Sequence, residues 1–283
     1  MIPFTKAHAC GNDFLIVMED AAAGHDLAAL TRRLCDRNTG VGADGIEFFA
    51  WTNQTGPGPK VARIRLHNAD GSVAEISGNG TRCVAAWMAE RLGSEPGDTL
   101  EITTDAGPRV CKIVSVHNEG DFTIEVTTAM GVPHFVPHTL KLMDGIDLIG
   151  VEVSTGNPHF VVLPEKSDFA IGRRAWMGIA AEICTHRDFP DHTNVEFVRV
   201  VSEHEIEIRI FERGVGPTHS SGTGSSAAAT AALALHRCLS PLKVVAPGGA
   251  QTVVWDGPGT ELHLTGPAAL IARGEAWSGG PVK

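Results

Sequence analysis

Short runs of alternating hydrophobic and polar residues fill most of the chain, and helical patterns interrupt them in each half. In the first half, the alternation predicts strands at 14–17, 46–50, 61–66, 100–104, 110–116 and 122–127. In the second half, it predicts strands at 149–154, 160–163, 195–201 and 206–211. Helical periodicity is found at 26–36, 80–92, 174–184 and 222–239. Strands therefore outnumber helices in both halves, which predicts a mixed α/β (α+β) fold.

Two glycine-rich turns, one in each half, lead into alanine-rich helices. The first reads Glu-Ile-Ser-Gly-Asn-Gly-Thr-Arg at 75–82, and the second reads His-Ser-Ser-Gly-Thr-Gly-Ser-Ser at 219–226. Glycines let the backbone approach a ligand closely, and the free N–H groups at a helix N-terminus attract an anion. Neither turn has the spacing or the lysine of a phosphate-binding P-loop. The pair predicts a duplicated domain, each copy a curved sheet around a buried helix, with a ligand held between the copies.

Composition excludes several classes of function. The formal net charge of −10 argues against nucleic acid or an anionic membrane as the main partner. No apolar run approaches the roughly 20 residues that span a bilayer, and nothing at the start resembles a signal peptide, which predicts a cytoplasmic protein. The 6 cysteines are scattered without a C-x-x-C pair, and no H-E-x-x-H motif occurs, so no metal site is expected.

Several polar strings are rich in glycine and asparagine. They lie at 11–14, 40–45, 68–72, 156–159, 193–196 and 212–216. Each string is by itself compatible with ordinary turn chemistry, because Asn and Asp favour turns and helix caps. Asparagine amides together with an arginine are also the groups that hold the carboxylate and ammonium of an amino acid.

In combination these strings resemble the diaminopimelate epimerase family over almost the full length. The matching motifs are Gly-Asn-Asp-Phe at 11–14, Gly-Ala-Asp-Gly at 42–45, Asn-Ala-Asp-Gly-Ser at 68–72, Gly-Asn-Gly-x-Arg-Cys at 78–83, Gly-Asn-Pro-His at 156–159, Asn-Val-Glu-Phe at 194–197 and Glu-Arg-Gly-x-Gly at 212–216. The resemblance implies two pseudo-symmetric domains, each a curved mixed sheet wrapped around a central helix. The active site is expected in the cleft between them. The last strand, at 268–276, is expected to return to the first domain.

The implied domains are 1–130 with 266–283, and 131–265, joined near Met130-Gly131-Val132-Pro133. The resemblance implies isomerisation of a small amino-acid substrate without pyridoxal phosphate or any other cofactor. It also suggests a homodimer.

The family uses two cysteines as bases, one before each glycine-rich turn, and this chain has Ser77 and Ser221 at those positions. A serine hydroxyl is much less acidic than a thiol and needs a neighbouring base. The resemblance supplies two candidates, with His159 expected beside Ser77 and Glu212 beside Ser221. We therefore expect these four residues to be the catalytic group.

The remaining expected roles concern binding. The N–H groups of Gly78, Asn79, Gly222 and Thr223 should hold the α-carboxylate and stabilise the charge left when the α-proton is removed. The side chains expected to position the other polar groups of the substrate are those of Asn12, Asn68, Asn157, Asn194 and Arg213. Arg82 is expected to be structural.

Three explanations of the serines stay open at this stage. They are an engineered replacement of both cysteines, a native divergence, or a protein that binds without turnover. Serines at 220, 225 and 226, and Pro217 where the family usually has an acid, favour native divergence. The leading hypothesis is interconversion of LL- and meso-diaminopimelate. The alternatives are a racemase, epimerase or dehydratase of another amino acid, or an amino-acid-binding protein.

Overall fold

A computed structural model describes residues 1–55, 58, 60–164 and 168–278. The chain divides into two compact units, Met1–Thr128 with Gly266–Lys283, and Ala129–Thr265. Residues 279–283 of the predicted first domain lie outside the described residues. No helix that the structure describes is both long and apolar enough to cross a membrane.

The first unit is a mixed sheet with two helices. Its strands are Ile2–Ala9 (β1), Asn12–Met18 (β2), Gly45–Asn53 (β3), Lys60–Asn68 (β4), Val73–Ala74 (β5), Thr99–Thr104 (β6), Gly107–His117 (β7) and Thr123–Ala129 (β8). Its helices are Leu27–Cys35 (α1) and Gly78–Leu92 (α2). Strand β2 is parallel to β3 and β4 is parallel to β6, whereas the β1–β2, β3–β4, β6–β7 and β7–β8 pairs are antiparallel.

The second unit repeats this order. Its strands are His134–Lys141 (β9), Asp147–Ser154 (β10), Pro158–Val162 (β11), Asn194–Ser202 (β12), Glu205–Glu212 (β13), Gly216–Thr218 (β14), Leu242–Ala246 (β15), Gly249–Val254 (β16) and the start of His263–Ala276 (β17). Its helices are Trp176–Cys184 (α3) and Gly222–Ala234 (α4). Strands β10 to β17 repeat the alternation of parallel and antiparallel pairs found from β1 to β8. The predicted fold class is confirmed.

Each unit buries its alanine-rich helix on all sides. In α2 every residue from Asn79 to Ala89 is buried, and in α4 every residue from Gly224 to Ala232 is buried. Such a helix has no solvent face and shows little amphipathic pattern. Small side chains let the surrounding strands approach it closely, which fixes its first turn firmly against the sheet.

Some predicted elements differ from the structure. The helix predicted at 222–239 ends at Ala234, because the chain leaves the helix at Leu235 and His236 has a left-handed φ of 53°. Strands β1, β9, β15 and β16 were not predicted. The strand predicted at 268–276 is the later part of β17, which pairs with β1 in the first unit.

The tight packing of α4 leads to a stability prediction. Ala228 is wholly buried in the core of the second unit, so Ala228→Leu should lower the free energy of unfolding by about 1–3 kcal/mol through overpacking. Ala234→Leu, at the partly exposed end of α4, is the control and should cost less. Urea denaturation of both variants measures the difference. Equal stability of the two variants would contradict a close-packed helix.

Candidate active site

In each unit the polar strings lie at one edge of the sheet. Strands β2 and β3 start at this edge and β4 ends there, because Phe14 pairs with Gly45 and Gly45 pairs with Asn68. In the second unit His159 pairs with Asn194 at the start of β11 and β12. The sheet thus brings together strings that are far apart in the sequence.

A hydrogen-bonded row in the first unit runs from this edge into the buried helix. Asn79 donates from Nδ2 to Asn12 Oδ1 at 3.0 Å, and Arg82 donates to Asn79 Oδ1 at 2.6 Å. Arg82 is wholly buried, as expected of a structural residue. The row fixes the orientation of the Asn12 and Asn79 amides beside the first turn of α2.

Ion pairs hold the outer end of the row. Asp44 accepts from Asn12 Nδ2 at 2.6 Å and pairs with Arg37 at 2.7 Å. Asp13 pairs with the same arginine at 2.7 Å and with Lys6 at 2.9 Å. Burial alone would raise the pKa of Asp13, but the hydrogen bonds from Arg37 and Lys6 hold it below its usual value.

In the second unit His159 is at the centre of the corresponding network. Its Nδ1 lies 2.8 Å from Glu196 Oε1 and its Nε2 lies 2.9 Å from Asn157 Oδ1. A carbonyl oxygen only accepts, so Nε2 is the donor to Asn157, and Nδ1 faces the Glu196 carboxyl. Asn157 in turn donates to Thr223 Oγ1 at 3.4 Å, and that hydroxyl lies 3.4 Å from Ser221 Oγ. The imidazole is therefore fixed on both sides.

Asn194 links the backbone next to His159 with the backbone of Arg213. Its Nδ2 donates to the carbonyl of Pro158 at 3.1 Å, and its Oδ1 accepts from the backbone N–H of Arg213 at 3.0 Å. The Arg213 side chain is exposed and donates to the carbonyl of Asp191 at 3.2 Å. No carboxylate within the described ranges forms an ion pair with it, so its charge remains available to a ligand.

Both serines cap their helices. Ser77 Oγ accepts from Gly80 N at 3.1 Å, and Ser221 Oγ accepts from Gly224 N at 3.2 Å. The N–H groups of Gly78, Asn79, Gly222 and Thr223 open the two helices, where the helix itself provides no acceptor. The turns therefore present the donors expected of an anion site.

Sequence reasoning missed two buried carboxyls behind the turns. Glu47 on β3 and Glu196 on β12 are both wholly buried. A Cβ built on Gly80 would lie 2.0 Å from Glu47 Oε1, and one on Gly224 would lie 2.7 Å from Glu196 Oε1. Each glutamate therefore occupies space that its glycine leaves open, in the first turn of the buried helix. A glutamate within an apolar run was the available signal.

The two carboxyls differ in their partners. Glu196 has His159, whereas neither oxygen of Glu47 has a hydrogen-bond partner among the described residues. Burial raises the pKa of Glu47 to about 8. Burial also raises the pKa of Glu196, and His159 opposes that shift. Glu47 is therefore mainly protonated at neutral pH.

No thiol replaces the two missing ones. All 6 cysteines are buried, none forms a disulfide, and none is at a serine position. Burial raises the pKa of Cys35 to about 12 and of Cys111 to about 11, and it raises the pKa of Cys83 further. Such thiols are poor bases near neutrality.

The structure groups the predicted residues by unit. In the first, hydrogen bonds link Asn12 with Asn79 beside Ser77 and Gly78, and Asn68 lies at the end of β4, where it donates to Ser72. In the second, the linked residues are Asn157, His159, Thr223 and Ser221, next to Gly222, with Asn194 joined to Arg213. Glu212 ends β13, half-buried. The expected pairings of His159 with Ser77 and of Glu212 with Ser221 stay predictions.

Replacing the two glutamates with leucine should change the free energy of unfolding in opposite directions. Glu47→Leu should raise the free energy of unfolding at pH 7 by about 1–3 kcal/mol, because it removes a buried polar group without a partner. Glu196→Leu should lower it by about the same amount, because it strands His159 Nδ1. The pKa of Glu47 is raised from 4.5 to about 8, so the folded state loses stability as pH rises across that range, and the gain from Glu47→Leu should grow with it. Denaturant titrations at several pH values measure both effects, and a destabilised Glu47→Leu would contradict the assignment.

Comparison with known proteins shows the family of this chain. The family model described as diaminopimelate epimerase matches residues 4–136 and 151–271, which include both turns. The diaminopimelate epimerase of Xanthomonas euvesicatoria pv. vesicatoria is 35% identical over 286 residues, covering 96% of this chain and 95% of that protein. The enzyme of Corynebacterium glutamicum is 37% identical over 280 residues, covering 97% and 98%.

Among solved structures, a hydroxyproline epimerase from Agrobacterium vitis has the same fold. Its TM-score is 0.70 at 15% identity, covering 98% of this chain and 93% of that one. The chain belongs to the diaminopimelate epimerase family.

Proposed function

We propose that this protein is a diaminopimelate epimerase that interconverts the LL and meso isomers by moving the α-proton without pyridoxal phosphate. Membership of the family over nearly the full chain supports this activity. The observation that carries it is the duplicated site: each unit has a serine-capped turn at the N-terminus of a buried helix, beside oriented asparagine amides.

The N–H groups of the two turns can bind the α-carboxylate of the substrate and stabilise the negative charge that forms in the reaction. We assign the N–H groups of Gly78 and Asn79, and those of Gly222 and Thr223, to the α-carboxylate of the substrate. When the α-proton leaves, negative charge spreads onto this carboxylate, and fixed N–H groups stabilise it without reorganising. Asn12, Asn68, Asn157 and Asn194 then position the remaining polar groups.

The proposed proton transfer uses one base from each turn. Ser77 and Ser221 stand where the family has cysteines, and each needs a partner to accept its proton. We assign His159 to this role, and its contacts with Glu196 and Asn157 hold the ring in one orientation. Glu212 is the second assigned partner. That both hydroxyls reach one α-carbon stays a prediction.

We interpret the serines as a native divergence. Glu47 is a buried carboxyl without a hydrogen-bond partner among the described residues. Because a serine hydroxyl needs a neighbouring base, this carboxyl fits a site adapted to serine better than a simple replacement of thiols. The other interpretations are an engineered pair, a relative acting on another amino acid, and a binding protein. The experiments below separate them. A cytoplasmic location and a homodimer also stay predictions.

Solvent exchange tests the bases. In D₂O the protein should incorporate deuterium at the α-carbon of diaminopimelate, followed by NMR. Ser77→Cys combined with Ser221→Cys should raise the rate by about 100-fold or more, because a thiolate at a helix N-terminus forms near neutral pH and a serine alkoxide does not.

The outcomes of this experiment are distinct. Exchange that His159→Ala abolishes in the serine form supports native serine chemistry, and serine exchange faster than cysteine exchange contradicts our expectation. Binding without exchange in either form would indicate a binding protein. If diaminopimelate does not bind, the substrate is another amino acid.

A substitution at Arg213 tests whether this residue binds the second carboxylate of the substrate. A planar guanidinium binds a carboxylate through two parallel hydrogen bonds, which an ammonium cannot reproduce. Arg213→Lys should therefore weaken diaminopimelate binding about tenfold by calorimetry, as expected for loss of about 1.4 kcal/mol. Arg237→Lys, an exposed residue of the same unit, is the control and should leave the affinity unchanged. Unchanged affinity in Arg213→Lys would mean that the arginine contacts no ligand carboxylate.

A further inference from the structure

Glu47 is a wholly buried carboxyl aimed at the turn that carries Ser77. It lies on β3 on the face that also carries Phe49, which packs in the core around α2. Neither of its oxygens has a hydrogen-bond partner among the described residues. The position of a Cβ on Gly80 is 2.0 Å from Glu47 Oε1 and 3.3 Å from Ser77 Cβ. The carboxyl and the serine therefore border the same small space.

The second unit shows what this position can do. There the position of a Cβ on Gly224 is 2.7 Å from Glu196 Oε1 and 3.3 Å from Ser221 Oγ. The two glutamates are matched residues of the duplication, since each lies two residues after the paired start of its strand. Glu196 Oε1 lies 2.8 Å from Nδ1 of His159 and so has a hydrogen-bond partner.

The two units differ at the position beside these glutamates. His159 pairs with Asn194 in register, and Phe14 pairs with Gly45 in the same way in the first unit. Phe14 therefore stands where the second unit has its imidazole. A phenyl ring neither donates nor accepts a conventional hydrogen bond. Glu47 therefore lies at the position matched to Glu196 but has no imidazole to bond with.

The ionisable groups around Glu47 do not neutralise it. Burial raises the pKa of Glu47, and no charged group among the described residues opposes that shift. Arg82 donates to Asn79, and Asp13 is held by Lys6 and Arg37. The first unit therefore holds a buried acid without a partner, and the second holds a buried carboxyl in contact with an imidazole.

We propose that Glu47 is the proton store of Ser77, a positioning residue that acts through the serine hydroxyl in the epimerisation proposed above. When Ser77 protonates the α-carbon, its O–H bond breaks, the C–H bond forms with the electron pair of the carbanion, and Glu47 returns its proton to the serine oxygen. In the reverse direction the Glu47 carboxylate takes the hydroxyl proton as the serine oxygen takes the α-proton. For either step Ser77 Oγ leaves the N–H of Gly80 and turns to Glu47.

The test is the stereochemistry of exchange. Glu47→Gln keeps the size of the side chain and removes its acid. Deuterium exchange should fall about 100-fold for the diaminopimelate isomer whose α-proton faces Ser77 and should stay within about threefold for the other isomer. The Kd measured by calorimetry should not change. For the affected isomer, the wild-type rate should rise as Glu47 ionises near pH 8, and the variant should lack that step.

Three controls accompany this variant. Glu125→Gln, on the exposed side of β8, should change neither rate. Phe14→His supplies the partner that Glu47 lacks and should move the pH step downward, because an imidazolium favours the carboxylate. In the Ser77→Cys background, Glu47→Gln should have little effect, because a thiol ionises without a partner.

Several results would overturn the proposal. These are equal loss for both isomers, weakened binding, full activity of Glu47→Gln, or binding by the wild-type protein without any exchange. If diaminopimelate neither binds nor exchanges, the proposed function fails. Infrared spectroscopy then decides on Glu47: a protonated-carboxyl band at pH 7 that disappears in Glu47→Gln supports the proton store, and its absence refutes it.

Discussion

The capping hydrogen bond at the start of each buried helix is the interaction on which the site depends. Ser77 and Ser221 each accept from the N–H three residues later, at 3.1 and 3.2 Å. This bond satisfies one helix donor and fixes the hydroxyl beside the other N–H groups of the first turn. Between the proposed proton transfers, the cap therefore returns each serine hydroxyl to the N-terminus of its own helix.

The residue whose N–H donates to each capping serine is a glycine, because a side chain has no room there. At Gly80 and Gly224 a side chain would overlap the carboxyl of Glu47 or Glu196, at 2.0 and 2.7 Å from its Cβ. The pattern Ser-Gly-x-Gly therefore combines two requirements, close approach of a ligand at the first glycine and room for an internal acid at the second. Because the helices are buried on all sides, neither acid can be solvated by rotation, and each must be paired or neutral.

Much of this could be predicted from the sequence. Both turns, both alanine-rich helices and the polar strings carry local signals of glycine, asparagine and apolar periodicity. Strands β1 and β9 were missed because Pro3 and Pro137 interrupt patterns that would otherwise favour strands. Glu47 was missed because a glutamate in a strand normally points to solvent. Here β3 has no solvent face at that point, since α1 and α2 cover its two sides, and only the tertiary structure shows this.

A duplicated fold poses a physical problem for a reaction that needs one base and one acid at the same time. Two identical halves would give their titrating groups identical environments and hence identical protonation. A single difference between matched positions, Phe14 in one unit and His159 in the other, is enough to separate them. The phenyl ring leaves Glu47 without a partner, so burial raises its pKa unopposed, whereas the imidazole opposes the effect of burial on the pKa of Glu196. The difference between the two units then lies in the buried residues next to the glutamates, and the two serine-containing turns can keep the same sequence pattern.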